Sequence, residues 1–109
     1  MTYTLFQRES ARRDILAIVD HISDDNPAAA AAVFEAYEYS LELLKTTPDM
    51  GRPYQSPDPR LSHIRVCPIH RFRSYLIFYR HIGQSVEVLH IWHGARDLPA
   101  LLADLDSDA

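Results

Sequence analysis

Apolar residues recur at two different spacings along this chain, and these spacings predict where its helices and strands lie. Two neighbouring segments have the three- to four-residue period of an amphipathic helix. The first covers residues 10–23, with Ser10 as its expected N-cap. The second starts at Asn26 and Pro27, a cap residue followed by a residue suited to the first helical turn, and stops before Pro48. Because only a few residues join the two segments, we expect an antiparallel helical hairpin.

Strand patterns lie on both sides of this hairpin. The segments with alternating apolar residues, or with β-branched and aromatic content, are residues 2–6, 61–69, 75–82 and 85–92. Gly83 and Gln84 separate the last two segments and predict a tight β-hairpin. Residues 47–60 contain four of the seven prolines and are expected to be irregular.

The predicted order of elements is therefore β-α-α-β-β-β, followed by a short helix over residues 97–105. This order favours an α+β fold in which the N-terminal helical hairpin packs on one face of a small, mainly antiparallel sheet. A chain of 109 residues forms one modest hydrophobic core, so we expect a single domain over residues 1–109.

The charges are unevenly distributed along the chain. The formal net charge of −4 argues against a protein that coats nucleic acid. Residues 1–50 contain nine acidic and four basic side chains, residues 51–97 contain three acidic and seven basic, and residues 98–109 contain three acidic and none basic. The middle of the chain either displays a cationic surface or simply carries arginines on solvated strands, and the charge pattern alone does not decide between these interpretations.

Cysteine content and hydropathy indicate a compartment. Cys67 is the only cysteine, so an internal disulfide is impossible and a reducing compartment fits. The N-terminal residues contain no apolar run of the length that a signal peptide or a membrane helix needs. We therefore expect a cytoplasmic protein without a membrane partner.

The segment HGARD, residues 93–97, directly follows the most apolar strand pattern. Gly94 permits a sharp turn there, and Asp97 is a suitable N-cap for the final helix. His93 and Arg96 are then left at the end of the sheet, where functional side chains often lie. We interpret this segment as a junction between a strand and a helix rather than as a reaction centre.

Six segments, taken in order, resemble the RelE/ParE superfamily of type II toxin–antitoxin toxins over nearly the whole chain. They are ARRDILAIVDHISDDNP, AAAVFEAYEYSLELL, TPDMGRP, IRVCPI, FRSYLIFYR and VLHIWHGARD. The arginine of IRV, the YLIFYR strand and the closing HGARD are most similar to the ParE, or plasmid-stabilising, branch. This resemblance implies a small cytoplasmic toxin that a cognate antitoxin neutralises by wrapping a flexible segment over its surface, in a hetero-oligomer.

The two branches of the superfamily imply different targets. A ParE-like chain binds and inhibits DNA gyrase without chemistry of its own, and the candidates for charged contacts with that target are Arg65, Arg71, Arg73, His93 and Arg96. In this case the antitoxin is expected to lay an amphipathic segment in a groove beside the helical hairpin and the sheet. A further alternative is a relic that retains the fold and antitoxin binding but has lost its toxicity.

A RelE-like chain instead cleaves mRNA in the ribosome, which requires a base, an acid and cations for the phosphate. The candidates for these roles are Arg65, Arg73, His90, His93 and Arg96. The segment after Tyr79 contains no further tyrosine, and the acidic C-terminal segment would repel RNA. We therefore favour the gyrase inhibitor and keep the ribosome-dependent endonuclease as the alternative.

Several of these side chains also have purely structural interpretations. His90 shares the alternation of Val86, Val88 and Trp92, which favours a hydrogen-bonded histidine in the core. Arg65 alternates away from Ile64 and Val66, so a solvated arginine on the opposite face is the default there. Trp92 and Phe72 are expected in the core rather than as stacking platforms.

Metal and cofactor sites are not predicted. His90 and His93 are three residues apart on a strand, so their side chains are expected on opposite faces. Cys67 has no obvious activating neighbour, and the three glycines are too scattered to form a phosphate-binding loop.

Overall fold

The computed structural model describes residues 2–55 and 57–94. Its elements, in chain order, are β1 (Thr4–Gln7), α1 (Glu9–Asp25), α2 (Pro27–Thr46), β2 (Arg52–Pro53), a 3₁₀ turn (Pro59–Leu61), β3 (Ile64–Ile69), β4 (Phe72–Ile82) and β5 (Ser85–His93). Arg96 and the helix predicted over residues 97–105 lie outside the described residues.

The strands form one five-stranded sheet in the order β1-β5-β4-β3-β2. The last strand, β5, runs parallel to β1, and the other neighbouring pairs are antiparallel. The helical hairpin carries the chain from one edge strand to the other, and successive antiparallel strands then bring it back until β5 lies beside β1. The predicted α+β fold with a mainly antiparallel sheet is confirmed.

The two helices begin in different ways. Asn26 caps α2 as predicted, because its Oδ1 accepts a hydrogen bond from the Ala29 N–H at 3.1 Å. The prediction that Ser10 caps α1 is wrong, since α1 begins at Glu9 and no side chain caps it. Ser10 is instead buried inside the helix, and its hydroxyl donates to the Leu89 carbonyl at 2.7 Å. The Ser10 hydroxyl is therefore hydrogen-bonded to β5 and does not cap the helix.

Both faces of the sheet bury apolar side chains. Under the helices, the core contains Ala11, Ile15, Tyr37, Leu41, Leu44, Ile77, Tyr79, Val86, Val88 and Ile91. The far face, which is turned away from the helices, has a second cluster formed by Leu61, Ile64, Val66, Phe78, Leu89 and Trp92. Tyr54 packs on this second cluster. The segment 47–60 is therefore less irregular than predicted, because it contributes to a core and contains β2 and part of the 3₁₀ turn.

Two local features depart from the simple strand alternation. The register between β4 and β5 shifts so that Phe78 lies opposite His90 and Tyr79 opposite Val88, which leaves Leu89 as an extra residue. This bulge makes the prediction that His90 shares a face with Val88 wrong. The second feature is a tight turn at His70 and Arg71, which lets β4 begin at Phe72 rather than near residue 75.

Candidate functional site

Arg65 holds the loop between α2 and β2. Its side chain lies on the face opposite Ile64 and Val66, as predicted. Its Nη1 donates to the Gly51 carbonyl at 2.6 Å and to the Asp49 carbonyl at 3.3 Å, and its Nε lies 3.6 Å from Asp49 Oδ1. This guanidinium therefore has a structural role that accounts for its position.

Two further side chains of the sheet hold the same loop. The buried Tyr79 hydroxyl donates to the Pro48 carbonyl at 2.7 Å and accepts from the Gly51 N–H at 2.9 Å. Asp49 Oδ1 lies 3.0 Å from His81 Nδ1, and this hydrogen bond, aided by the charge of Arg65, lowers the pKa of the Asp49 carboxyl. We call residues 48–51 with these partners the loop clamp.

Alkaline pH should weaken the loop clamp. Burial raises the pKa of Tyr79 from its ordinary value of 10.0 to about 12. The unfolded chain therefore loses this proton at a lower pH than the folded chain, so stability is complete below pH 10 and falls as the pH rises to about 12. Burial raises the pKa of Tyr37 as well, which acts in the same direction. The measurement is the melting temperature across this range. Tyr79→Phe should show a shallower pH dependence than the wild type, and an equally steep decline would contradict the assignment.

Side chains of helix α1 form hydrogen bonds with the backbone of β5 where β5 is no longer paired with β1. The pairing of β1 with β5 ends at Val88, and beyond it two side chains one helical turn apart take over. The Ser10 hydroxyl bonds the Leu89 carbonyl, and Asp14 Oδ2 accepts from the Ile91 N–H at 3.1 Å. The same oxygen lies 2.8 Å from His90 Nδ1. The helix therefore replaces a neighbouring strand along this part of β5.

His90 takes part in these contacts between α1 and β5 through its hydrogen bond with Asp14. Its ring stacks on Trp92 with 4.1 Å between the ring centroids, and its side chain is 14% exposed. The predicted hydrogen bond of this histidine is present, although the bulge at Leu89 changes the face on which it lies. Trp92 is buried in the far-face cluster, as predicted.

Removing the Asp14 carboxylate should destabilise the protein. Asp14→Ala leaves the Ile91 N–H and the His90 ring without their acceptor, and we expect the free energy of unfolding to fall by about 2 kcal/mol. Asp14→Asn retains one acceptor oxygen and should lose about half as much. Urea unfolding measures both variants. Equal losses for alanine and asparagine would show that this acceptor contributes little.

Three of the predicted target-contact residues share one end of the sheet. Arg71 occupies the turn between β3 and β4 with φ of 70°, Arg73 follows on β4, and His93 ends β5. The Gly94 N–H bonds the Ser74 carbonyl at 2.8 Å, which keeps these strand ends together. We call Arg71, Arg73 and His93 the cationic end; all three are exposed.

Arg65 does not belong to the cationic end. It lies four residues before Ile69, the last residue of β3, which corresponds to about 13 Å of strand. Arg65 and Arg71 were both candidates for contact with one target, but β3 carries Arg65 away from the turn that holds Arg71. His90 and His93 lie opposite Phe78 and Tyr75 on β4, which places them on different faces of the sheet, as predicted.

Two clefts lie beside α1 in the part of the chain that the structure describes. The larger, about 520 Å³, lies between α1, α2 and β1 and is called the helix cleft. Its lining includes the apolar side chains Leu5, Ile15, Leu16, Phe34 and Leu41, and the charged side chains Arg12, Glu38, Glu42 and Lys45. Leu16 is 57% exposed there. Sequence reasoning missed this residue, although an apolar side chain outside the buried stripe of α1 was an available signal.

The second cleft, about 470 Å³, lies between α1 and the end of β5. Polar groups in its lining are Asp14, His21, Tyr75 and His93. The His93 ring packs edge-to-face on Tyr75 with centroids 5.4 Å apart. This α1–β5 cleft therefore places acid–base groups beside the cationic end.

Residues 2–55 and 57–94 contain no group of three His, Cys, Asp or Glu side chains arranged to hold a metal ion. Over the same residues, neither helix combines the length and the apolar character required to cross a bilayer. Cys67 is buried, and this burial raises the pKa of its thiol, which disfavours the nucleophilic thiolate.

Comparison with solved structures supports this fold. A chain of the chromosomal ParDE TA system from P. aeruginosa superimposes with a TM-score of 0.69 at 20% identity, covering 84% of this chain and 96% of that one. A chain of the toxin–antitoxin complex RelBE2 from Mycobacterium tuberculosis superimposes with a TM-score of 0.56 at 24% identity, covering 85% and 99%. At these identities the likeness is one of fold.

Sequence comparison assigns the family. The curated Toxin RelE1 of Caulobacter vibrioides is 34% identical over 94 residues, which cover 86% of this chain and 96% of that toxin. The family described as the ParE toxin of type II toxin–antitoxin system, parDE, matches residues 5–98. This chain therefore belongs to the ParE toxin family, within the RelE/ParE superfamily of type II toxin–antitoxin toxins.

Proposed function

We propose that this toxin acts in the cytoplasm by binding DNA gyrase and inhibiting it, and that a cognate antitoxin neutralises it by direct contact. The observation that carries the proposal is the separation of the candidate nuclease residues. Among the candidates in the described ranges, Arg65 is bonded to the loop clamp, His90 is bonded to Asp14 and stacked on Trp92, and Arg73 and His93 lie at the same end of the sheet. A binding toxin does not need these side chains to converge, whereas RNA cleavage does.

The cationic end is the proposed gyrase contact. The guanidinium groups of Arg71 and Arg73 have no hydrogen bond or ion pair within the described part of the chain, and both side chains are exposed. Exposed arginines at the rim of a rigid sheet suit recognition of an acidic protein surface. Arg96, two residues beyond Gly94 in sequence, remains a candidate for the same contact.

Charge reversal at the cationic end tests this assignment. We expect Arg71→Glu combined with Arg73→Glu to raise the toxin concentration for half-inhibition of gyrase supercoiling about 10-fold or more, since like charges would then face the target. Arg13→Glu, on the exposed side of α1, is the matched control and should inhibit like the wild type. Unchanged inhibition by the double variant would show that gyrase does not contact the cationic end.

The helix cleft is the proposed antitoxin groove. It lies between α1, α2 and the edge strand β1. Its lining combines apolar side chains with the positive Arg12 and Lys45 and the negative Glu38 and Glu42. Lys45 and Glu42 pair with each other at 2.8 Å. An amphipathic helix or strand can bury its apolar side there and pair its charges at the rim.

An mRNA endonuclease remains the second candidate function, and the α1–β5 cleft is the observation that favours it. His21, Tyr75 and His93 line this cleft, and Arg73 lies at the same end of the sheet. These residue types can transfer protons near neutral pH and stabilise phosphate charge. Mapping mRNA ends after toxin expression distinguishes the two candidates, because cleavage at defined codon positions would support the nuclease and uncut mRNA the gyrase inhibitor.

A further inference from the structure

A row of directly opposed residues crosses the far face of the sheet at the end away from the cationic end. Phe6 lies opposite Glu87, Glu87 opposite Arg80, and Arg80 opposite Ile64. Side chains that are directly opposite in neighbouring strands lie on the same face and contact one another. The row therefore places a charged pair between apolar residues, outside every site described above.

Arg8 adds a second guanidinium to this row. Glu87 Oε1 lies 2.7 Å from Arg80 Nε, and Glu87 Oε2 lies 3.5 Å from Arg8 Nε. Within residues 2–55 and 57–94, Glu87 is the only carboxylate paired with either arginine, so the two guanidinium groups share one carboxylate and the group keeps a net positive charge. Arg8 Nη1 is shielded from solvent and has no hydrogen-bond acceptor among the residues that the structure describes. A guanidinium donor in this state is satisfied by a further carboxylate.

Exposed apolar side chains flank this charged group. Phe6 is 47% exposed and Ile82 is 58% exposed. Ile82 lies two residues beyond Arg80 on β4, so both side chains point to the far face. Partially desolvated charges between exposed apolar side chains are typical of a protein contact surface.

We propose that Phe6, Arg8, Arg80, Ile82 and Glu87, the far-face patch, form a second contact surface for the antitoxin. The patch takes an extended segment in which an acidic side chain lies between two apolar ones. The carboxylate pairs with Arg80 and, after a rotation of the Arg8 side chain, with its Nη1. This inference rests on the proposed neutralisation by an antitoxin.

The position of β1 connects the far-face patch to the helix cleft. Leu5 and Gln7 line the helix cleft, whereas Phe6 and Arg8 belong to the patch, because side chains alternate across a strand. β1 has only four residues and lies at the edge of the sheet. A partner segment that leaves the helix cleft therefore reaches the patch by passing over this one strand. An antitoxin segment that contacts both faces of β1 would join the two surfaces into one interface.

Binding measurements with two sets of variants test the inference. The probe is the purified cognate antitoxin, titrated against the toxin by calorimetry. Ile82→Asp removes an exposed apolar side chain and repels the expected carboxylate, so it should weaken binding about 10-fold or more with an unchanged melting temperature. Arg80→Gln should weaken binding similarly. If Arg80→Gln does not fold, the result for Ile82→Asp still decides the question, because this substitution changes only an exposed side chain. Ala31→Glu, exposed on α2 outside both surfaces, is the control.

Leu16→Glu in the helix cleft separates the possible outcomes. Weaker binding by both Ile82→Asp and Leu16→Glu supports the second surface. Weaker binding by Leu16→Glu alone overturns the far-face patch and leaves the antitoxin groove in place. A wild-type toxin that does not bind the probe overturns the proposed neutralisation, and the far-face patch with it.

Discussion

Gly51→Ala is expected to be the most destabilising of the substitutions considered. A Cβ at this position would lie 2.6 Å from the Tyr79 hydroxyl oxygen and 2.9 Å from the Val66 carbonyl oxygen. Neither group can withdraw easily, because Tyr79 is buried and hydrogen-bonded and Val66 belongs to β3. Overpacking and the loss of the Tyr79 hydrogen bonds should together lower the free energy of unfolding by about 3 kcal/mol. The melting temperature should then fall by about 12 °C.

Gly83→Ala is the matched control for this prediction. Gly83 has φ of +57°, but no atom lies within 4 Å of a Cβ at this position. Only the cost of a left-handed alanine applies there, which is about 1 kcal/mol. Urea unfolding followed by Trp92 fluorescence measures both variants. If Gly51→Ala were no less stable than Gly83→Ala, the loop clamp would not be as tightly packed as its distances indicate.

Leu16→Glu is expected to have the largest effect on antitoxin binding. Leu16 is exposed in the free toxin and lines the helix cleft, so a partner that fills the cleft buries it. Loss of about 2 kcal/mol of apolar burial and the cost of placing a carboxylate in the apolar floor should weaken binding about 100-fold or more. The toxin itself should keep its stability, because the leucine contributes little to the core.

Two observations complete this test. Ala31→Glu introduces the same charge on an exposed part of α2 and should bind the antitoxin like the wild type. Toxicity in cells that also express the antitoxin should reappear for Leu16→Glu, since the free toxin is no longer neutralised. Wild-type affinity for Leu16→Glu would place the antitoxin groove outside the helix cleft.

Local signals explain which parts of the fold could be predicted. Asn26 and Pro27 define the start of α2 through their own side chains, and Gly83 allows the turn between β4 and β5. Hydrophobic periodicity located both helices to within a few residues. The hairpin turn at Arg71 was missed because its left-handed residue is an arginine, a type that rarely adopts this conformation.

Contacts between residues distant in sequence explain most of what could not be predicted. The pairing of β1 with β5 joins residues about 80 positions apart, and nothing in either segment specifies it. The bulge at Leu89 reverses the alternation of β5, yet the bulged residue is an ordinary apolar one. Ser10 was a reasonable N-cap by type, but the nearby carbonyl of Leu89 uses its hydroxyl.

In the candidate site, too, local sequence predicted some features, and contacts between distant residues determined the others. Alternation correctly placed Arg65 opposite Ile64 and Val66, but its acceptors are carbonyls of another loop, which sequence does not reveal. Arg71 and Arg73 were expected together because they are two positions apart in sequence. The far-face patch was not anticipated, because its residues come from β1, β4, β5 and the start of α1 and meet only in the folded protein.

Supercoiling of relaxed plasmid by purified gyrase, measured over a titration of purified toxin, decides whether this protein is a gyrase inhibitor. We expect the wild-type toxin to inhibit supercoiling and equimolar antitoxin to restore it. Full supercoiling in the presence of a molar excess of folded toxin would contradict a gyrase inhibitor.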